Sequence, residues 1–322
     1  MIDAGQYVRG AIKIPPYGLM PALYEEWASN ADPTVTDWRP DELDRRPQWV
    51  KFLNDTLAEL ELVLWPTFRN GAWSAGSYDQ MIALTEADFR MFAVLDKLPG
   101  RGLDTVPETP LISNVCPAHR TWYLKEDGQK TGMEERYRHY DRSLTDKQAD
   151  LVRTTWNNSL KIKESTTGAG SVTLQFKRFM QRPRPYQMAL MMGIPHAHEI
   201  AHTAPTPSMS SGHCLQGLIG IGGVFEHFIK QGKPILGDHA EALRQYGTDI
   251  GDRRVMAGVH YPSDNVSSWI IALLLAEHVF TKTPAIKGEL ALAIKQSILY
   301  PLITNSDEAA YQPAINKLAQ LM

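Results

Sequence analysis

Apolar residues spaced three and four apart, in stretches too long for a strand, are the strongest constraint on how this chain can fold. Between 47 and 65, Trp49, Phe52, Leu53, Leu57, Leu60 and Leu64 draw one apolar stripe along a helix. Thr85 with Asp88, and Thr145 with Gln148, read as N-terminal capping pairs and predict helices over 86–97 and 146–163. Gly, Pro and Asn punctuation divides the rest into predicted helices over 168–181, 211–230, 238–257, 263–281, 285–299 and 307–321. No strand pattern competes, so the expected fold class is all-α: a helical bundle with an N-terminal helical extension.

With 322 residues, 43% of them hydrophobic, the chain can bury a full core. Residues 99–135 are richer in Pro, Gly and charge and read as loops. The expected organisation is an N-terminal helical extension over 1–150, packed on a motif-bearing bundle over 151–322. There is no internal repeat, which favours one continuous domain.

A net charge of −3 lacks the basic excess that nucleic-acid binding requires. No apolar run reaches the ~20 residues of a membrane span, so no transmembrane segment is expected. Met1-Ile2-Asp3-Ala4 is not a basic segment leading into an apolar block, which makes the cytoplasm the default compartment; a periplasmic or secreted location follows only if a leader has been removed. Cys116 and Cys214 lack Cys-x-x-Cys spacing and are expected as buried free thiols. A homo-oligomer is compatible with this composition.

Three short stretches carry chemistry. Lys177 is followed seven residues later by Arg184-Pro185; Ser211-Gly212-His213 precedes an apolar run; Arg254 is followed by His260 and Asp264. Transferring a phosphoryl group needs positioning and neutralisation of its oxygens, and three cations suit that task. Pro185 biases Arg184 toward extended backbone as a helix ends, while Ser211-Gly212 opens a helix whose N–H groups meet anions. His260, just before Tyr261-Pro262, stands at the mouth of the next helix, so the site is expected at helix ends. Asp264, four residues on, can reach back to one ring nitrogen and leave the other to act.

Order and spacing resemble the signature of the phosphatidic acid phosphatase type 2/vanadium haloperoxidase superfamily: K, six residues, RP; PSGH; SR, five residues, H, three residues, D. The resemblance covers about residues 175–270. It implies a phosphatase, a metal-independent phosphoric monoester hydrolase with a phosphohistidine intermediate. His260 would be the nucleophile, Asp264 its orienter and His213 the general acid, with Lys177, Arg184, Ser211, Gly212 and Arg254 on the phosphate. The implied partner is a small phosphorylated substrate and the implied cofactor none. The alternative within the superfamily is a haloperoxidase holding vanadate on His260; the modest length ahead of the first motif favours the phosphatase. Two positions depart from the pattern: Ser210 stands where the family usually has Pro, and Arg253 where it usually has Ser. Arg253 is expected to point to solvent.

His198-Glu199-Ile200-Ala201-His202 also fits the H-E-x-x-H zinc pattern. That reading needs a longer helix than Pro195 and Pro205 allow, and a third ligand for which Glu226 is the conceivable candidate. A non-catalytic anion-binding protein is the other lesser reading. His196, His198 and His202 are expected at the rim ahead of the phosphate loop or on the surface. Most of Trp49, Trp65, Trp122, Tyr123 and Tyr186 are expected in the core, the remainder shaping a leaving-group pocket. With His260 neutral, His213 protonated and a histidine reference pKa of ~6.5, the rate profile is predicted to be bell-shaped with a mildly acidic optimum. Activity rising steadily into alkali would contradict it.

Overall fold

A computed structural model of the chain describes residues 47–69, 72–73, 77–95, 140–141, 143–160, 172–194, 196 and 206–322. Helix α1 (Pro47–Val63) turns the predicted stripe inward: Phe52, Leu53, Leu57 and Leu60 are buried. A minimal antiparallel pair, β1 (Phe68–Arg69) and β2 (Ala72–Trp73), follows, too short to alter an all-α fold. Helix α2 then runs Ser77–Leu95. Thr85 and Asp88 lie inside α2 and are not its cap. The Thr85 hydroxyl donates to the Met81 carbonyl one turn back (2.7 Å), and Asp88 is fully buried. At helix α3 (Asp146–Ser159) the cap stands as predicted, with the Thr145 N–H donating to Gln148 Oε1 at 2.9 Å.

The bundle continues through α4 (Val172–Met180), α5 (Pro185–Met192), α6 (Gly212–Lys230), α7 (Gly237–Met256), α8 (Pro262–Val279), α9 (Thr283–Gln296), α10 (Leu299–Thr304) and α11 (Gln312–Leu321). Short α5 and α10 escape the sequence pattern because each is only a turn or two long. Helix α9 ends at Gln296, earlier than predicted. Buried Asp252 takes the Ser297 hydroxyl at 2.8 Å and the Ile298 N–H at 3.1 Å, which fixes the break.

Helix α8 is buried at every position from Pro262 to Leu273, the mark of a helix surrounded by others. It contacts α1, α2, α6, α7, α9 and α11, and the buried side chains of α1 and α2 join the same apolar cluster as those of α6 to α11. Among the described residues, no helix is long and apolar enough to cross a membrane. Cys214 is a buried free thiol, while Cys116 lies outside the described residues.

Helices α6 and α7 touch backbone to backbone. A Cβ on Gly217 would lie 2.1 Å from the Gly247 carbonyl oxygen, and one on Gly251 would lie 2.6 Å from Cys214 Cβ. On its other side α6 meets α3, where a Cβ on Gly220 would lie 2.3 Å from the Trp156 ring. This close approach sets the start of α6 beside the end of α7. Gly217→Ala is therefore expected to cost about 1–3 kcal/mol in denaturant unfolding. Gly288→Ala, where a Cβ meets nothing within 4 Å on exposed α9, should instead gain up to about 1 kcal/mol.

Candidate active site at converging helix ends

Three helix N-termini supply the predicted residues. Arg184 is the N-cap of α5, Ser211 the N-cap of α6, and His260 directly precedes Tyr261, the N-cap of α8. Lys177 lies in the last turn of α4 and Arg254 in the last turn of α7. Arg184 has extended backbone (φ −70°, ψ 155°) before Pro185, as X-Pro sterics require. Gly258 (φ +73°) makes the left-handed turn from α7 toward His260.

Backbone carbonyls hold two of the cations, Lys177 and Arg184. Lys177 Nζ donates to the Ser208 carbonyl at 3.0 Å and to that of Pro207. Arg184 spreads its fork: Nε to the Thr206 carbonyl (2.7 Å), Nη2 to Thr206 Oγ1 (3.0 Å) and Nη1 to the Val259 carbonyl (2.7 Å). Burial, helped by the charges of Arg184 and Arg254, pushes the Lys177 pKa well below its usual value. The three cations therefore repel one another inside a low-dielectric site, which a bound anion relieves.

The hydrogen bonds of His260 fix its tautomer. Arg184 Nη1 lies 3.0 Å from His260 Nε2, and a guanidinium only donates, so Nε2 carries the lone pair. The proton then sits on Nδ1 and goes to Asp264 Oδ2 at 3.1 Å. Burial, followed by Arg184, Lys177, Arg254 and His213, pushes the His260 pKa well below 6.5. The group is a neutral base whose lone pair points toward the cations.

Asp264 serves more partners than sequence reasoning assigned to it. Its Oδ2 also accepts from the Tyr261 N–H (2.9 Å) and the Ser208 hydroxyl, while Oδ1 accepts from Arg182 Nη1 (3.0 Å). Arg182 reaches Asp88 Oδ2 with Nη2 (2.7 Å) and the Ser263 hydroxyl with Nη1 (2.6 Å). Its guanidinium stacks 3.8 Å from the Tyr261 ring centroid and 4.5 Å from that of Trp65. Asp88 accepts in turn from the Tyr311 hydroxyl (2.9 Å) and the Ser263 N–H (3.0 Å). Two signals for this layer were present: Arg182-Pro183 precedes Arg184-Pro185, and an acid at 88 interrupts the apolar stripe Met81, Leu84, Phe92, Leu95 of α2.

Ser211 Oγ caps α6 by accepting from the Cys214 N–H (3.5 Å), and its own N–H donates to the Asp264 carbonyl (3.3 Å). Gly212 lies against Thr173, one turn before Lys177 on α4. His213 is half-buried, close enough for its charge to act on His260. Arg253 corrects an expectation. It is buried, not solvent-facing, and donates to the Tyr140 hydroxyl at 3.5 Å, because packing of α7 against Tyr140 encloses that face. Ser210 is fully buried ahead of α6.

His196 is half-buried, edge-on to Phe89, and its Nε2 donates to the Gly258 carbonyl at 2.8 Å. His198, Glu199 and His202 lie outside the described residues, as do Trp122, Tyr123 and the side chain of Trp49. Glu226, the conceivable third zinc ligand, instead accepts from the Thr281 N–H (2.6 Å) and hydroxyl (2.9 Å), capping the turn after α8. Among the described residues no group of three or more His, Cys, Asp or Glu side chains is arranged to hold a metal ion. Trp65 is in the core, with Nε1 donating to the Met180 carbonyl at 2.9 Å, and burial pushes the Tyr186 phenol up to about 12.

The family model described as the PAP2 superfamily matches residues 160–286. The matched segment runs from the end of α3 into α9 and contains every cation and imidazole of the cradle, whereas Trp65, Asp88 and Tyr311 lie outside it. PAP2 proteins are typically phosphatases, so the match suggests phosphatase-like chemistry. No curated protein and no solved structure shows a significant match to the chain.

The low basicity of His260 has a testable sign. In the unfolded chain it titrates near 6.5 and in the fold below that, so the unfolded state binds more protons as pH falls through 6.5. Stability should fall with acidification through that window, and His260→Asn should flatten the slope in denaturant melts at successive pH values. An NMR titration should show the wild-type imidazole still neutral at pH 6.5; a charged ring there would refute the assignment.

Proposed function

We propose that the chain is a metal-independent phosphomonoesterase working through a phosphohistidine. The observation that carries this reading is the His260 tautomer, with the lone pair on Nε2 facing a cluster of buried cations and the proton on Nδ1 held by Asp264. A phosphate monoester docks with its oxygens on Lys177, Arg184, Arg254 and the Ser211-Gly212 helix start. An ester oxygen replaces Nε2 as the acceptor of the Arg184 N–H. Nε2 then attacks phosphorus as the P–O bond to the alcohol breaks.

The imidazole becomes cationic when phosphorylated, and the Asp264 carboxylate stabilises that charge through Nδ1–H. His213, half-buried at the start of α6, gives its proton to the departing alkoxide. It next takes a proton from the water that attacks the phosphohistidine, which releases inorganic phosphate and restores neutral His260. Positioning and charge do most of the work, as phosphoryl transfer requires. On the same reading α1 and α2 are part of one domain with the bundle, since their side chains enter its core.

Vanadate has the charge and tetrahedral oxygens of phosphate, so the same residues fit it, with His260 Nε2 toward the metal; it would supply peroxide activation for halide oxidation. Assays of p-nitrophenyl phosphate hydrolysis should give turnover that resists chelator. His260→Ala should lower kcat by about 10⁴ or more, and His213→Ala by about 10² to 10⁴. Quenched reactions should hold acid-labile, alkali-stable phosphate on His260. Halide oxidation with vanadate and peroxide, without ester cleavage, would overturn the proposal.

A further inference from the structure

We propose that Asp88 and Arg182 are positioning residues for His260, acting through Asp264: Asp88 holds one end of the Arg182 fork so that the other end meets a single oxygen of Asp264. The inference rests on the reading of His260 as nucleophile. A guanidinium facing a lone carboxylate makes two parallel bonds and occupies both oxygens. Here it does not. Nη2 is drawn to Asp88 Oδ2 (2.7 Å), and Nη1 is shared between Ser263 Oγ (2.6 Å) and Asp264 Oδ1 (3.0 Å). Oδ2 of Asp264 is thereby left to His260 Nδ1 (3.1 Å), the Tyr261 N–H (2.9 Å) and the Ser208 hydroxyl.

Asp88 is itself fixed. Tyr311 Oη (2.9 Å), the Ser263 N–H (3.0 Å) and the Ser263 hydroxyl all donate to it. Asp88, Arg182, Ser263 and Asp264 are all 0% exposed, so bulk solvent does not compete for these bonds. Two carboxylates against one guanidinium leave one net negative charge behind the imidazole. The other charged groups facing His260 are Arg184, Lys177, Arg254 and His213, and all of them oppose its protonation. The surplus charge of Asp88 and Asp264 over Arg182 is thus what favours the imidazolium that phosphorylation creates. Without Asp88 the guanidinium is free to close on both oxygens of Asp264, drawing the carboxylate from Nδ1–H and cancelling its charge.

The test uses the full chain with p-nitrophenyl phosphate and an NMR titration of His260. Asp88→Asn should lower kcat about 10²-fold, the scale of a misplaced reacting group, with KM changed little because the phosphate contacts are untouched. The acid limb of kcat/KM and the imidazole pKa should both move to lower pH, since a negative charge behind the ring is lost. Arg182→Lys should fall similarly, because a single ammonium cannot span two carboxylates. A merely structural role would reduce the active fraction and leave both titrations in place, which would overturn the inference. An unchanged kcat would do the same. If Asp88→Asn does not fold, Tyr311→Phe, which removes one donor from Asp88, should shift the limb in the same direction by less; no shift there refutes the role. Should the wild type prove inert toward phosphate esters while the imidazole pKa still falls in Asp88→Asn, the phosphatase reading fails and the positioning role stands.

Discussion

Repulsion among Lys177, Arg184 and Arg254 is the constraint around which the rest of the site is arranged. Three cations buried side by side are unfavourable: burial first, and then the charges of Arg184 and Arg254, depress the Lys177 pKa. Lys177 and Arg184 are tied by neutral carbonyls, those of Thr206, Pro207, Ser208 and Val259. These bonds fix the direction of each charge without cancelling it. The Asp264 carboxylate is engaged by Arg182, the Tyr261 N–H, the Ser208 hydroxyl and His260.

Holding such a cluster requires rigid backbone, and the helix packing provides it. Glycines at 217, 247 and 251 let α6 and α7 approach until backbone meets backbone, so Arg254 at the end of one helix stands near Ser211 and Gly212 at the start of the other. Helix α8 completes the arrangement. The Ser211 N–H donates to the Asp264 carbonyl, and Ser268 Oγ donates to the Ser211 carbonyl at 2.8 Å, pinning two helix starts together. N-terminal helix dipoles then add to the positive potential of the cradle.

How much of this was legible in the sequence depends on the range of the interaction. Helix α1 follows from apolar periodicity, α3 from its Thr145–Gln148 capping pair, and α6, α7 and α8 from Gly, Pro and Asn punctuation, all of them local signals. The directions of Arg184 and the Gly258 turn follow from Pro and Gly sterics, which are local too. Thr85 and Asp88 show where local reading fails. A Thr and an Asp three apart match a cap, but Asp88 is buried by partners 94, 175 and 223 residues away in the chain, and no pattern within one helix reveals them. Arg253 fails for the same reason, since its enclosure depends on Tyr140, more than a hundred residues upstream.

The same long range bears on where the working unit begins and ends. The segment matching the PAP2 superfamily contains Arg182 and Asp264 but not Asp88, Trp65 or Tyr311. Cut at its edges, that segment would leave Arg182 without one of its two carboxylates and one of its stacking rings. The line between an N-terminal extension and a helical bundle, natural enough in the sequence, separates Asp88 from the Arg182 and Asp264 to which it is linked. Helices α2 and α11 belong to the architecture of the His260 environment as much as α8 does.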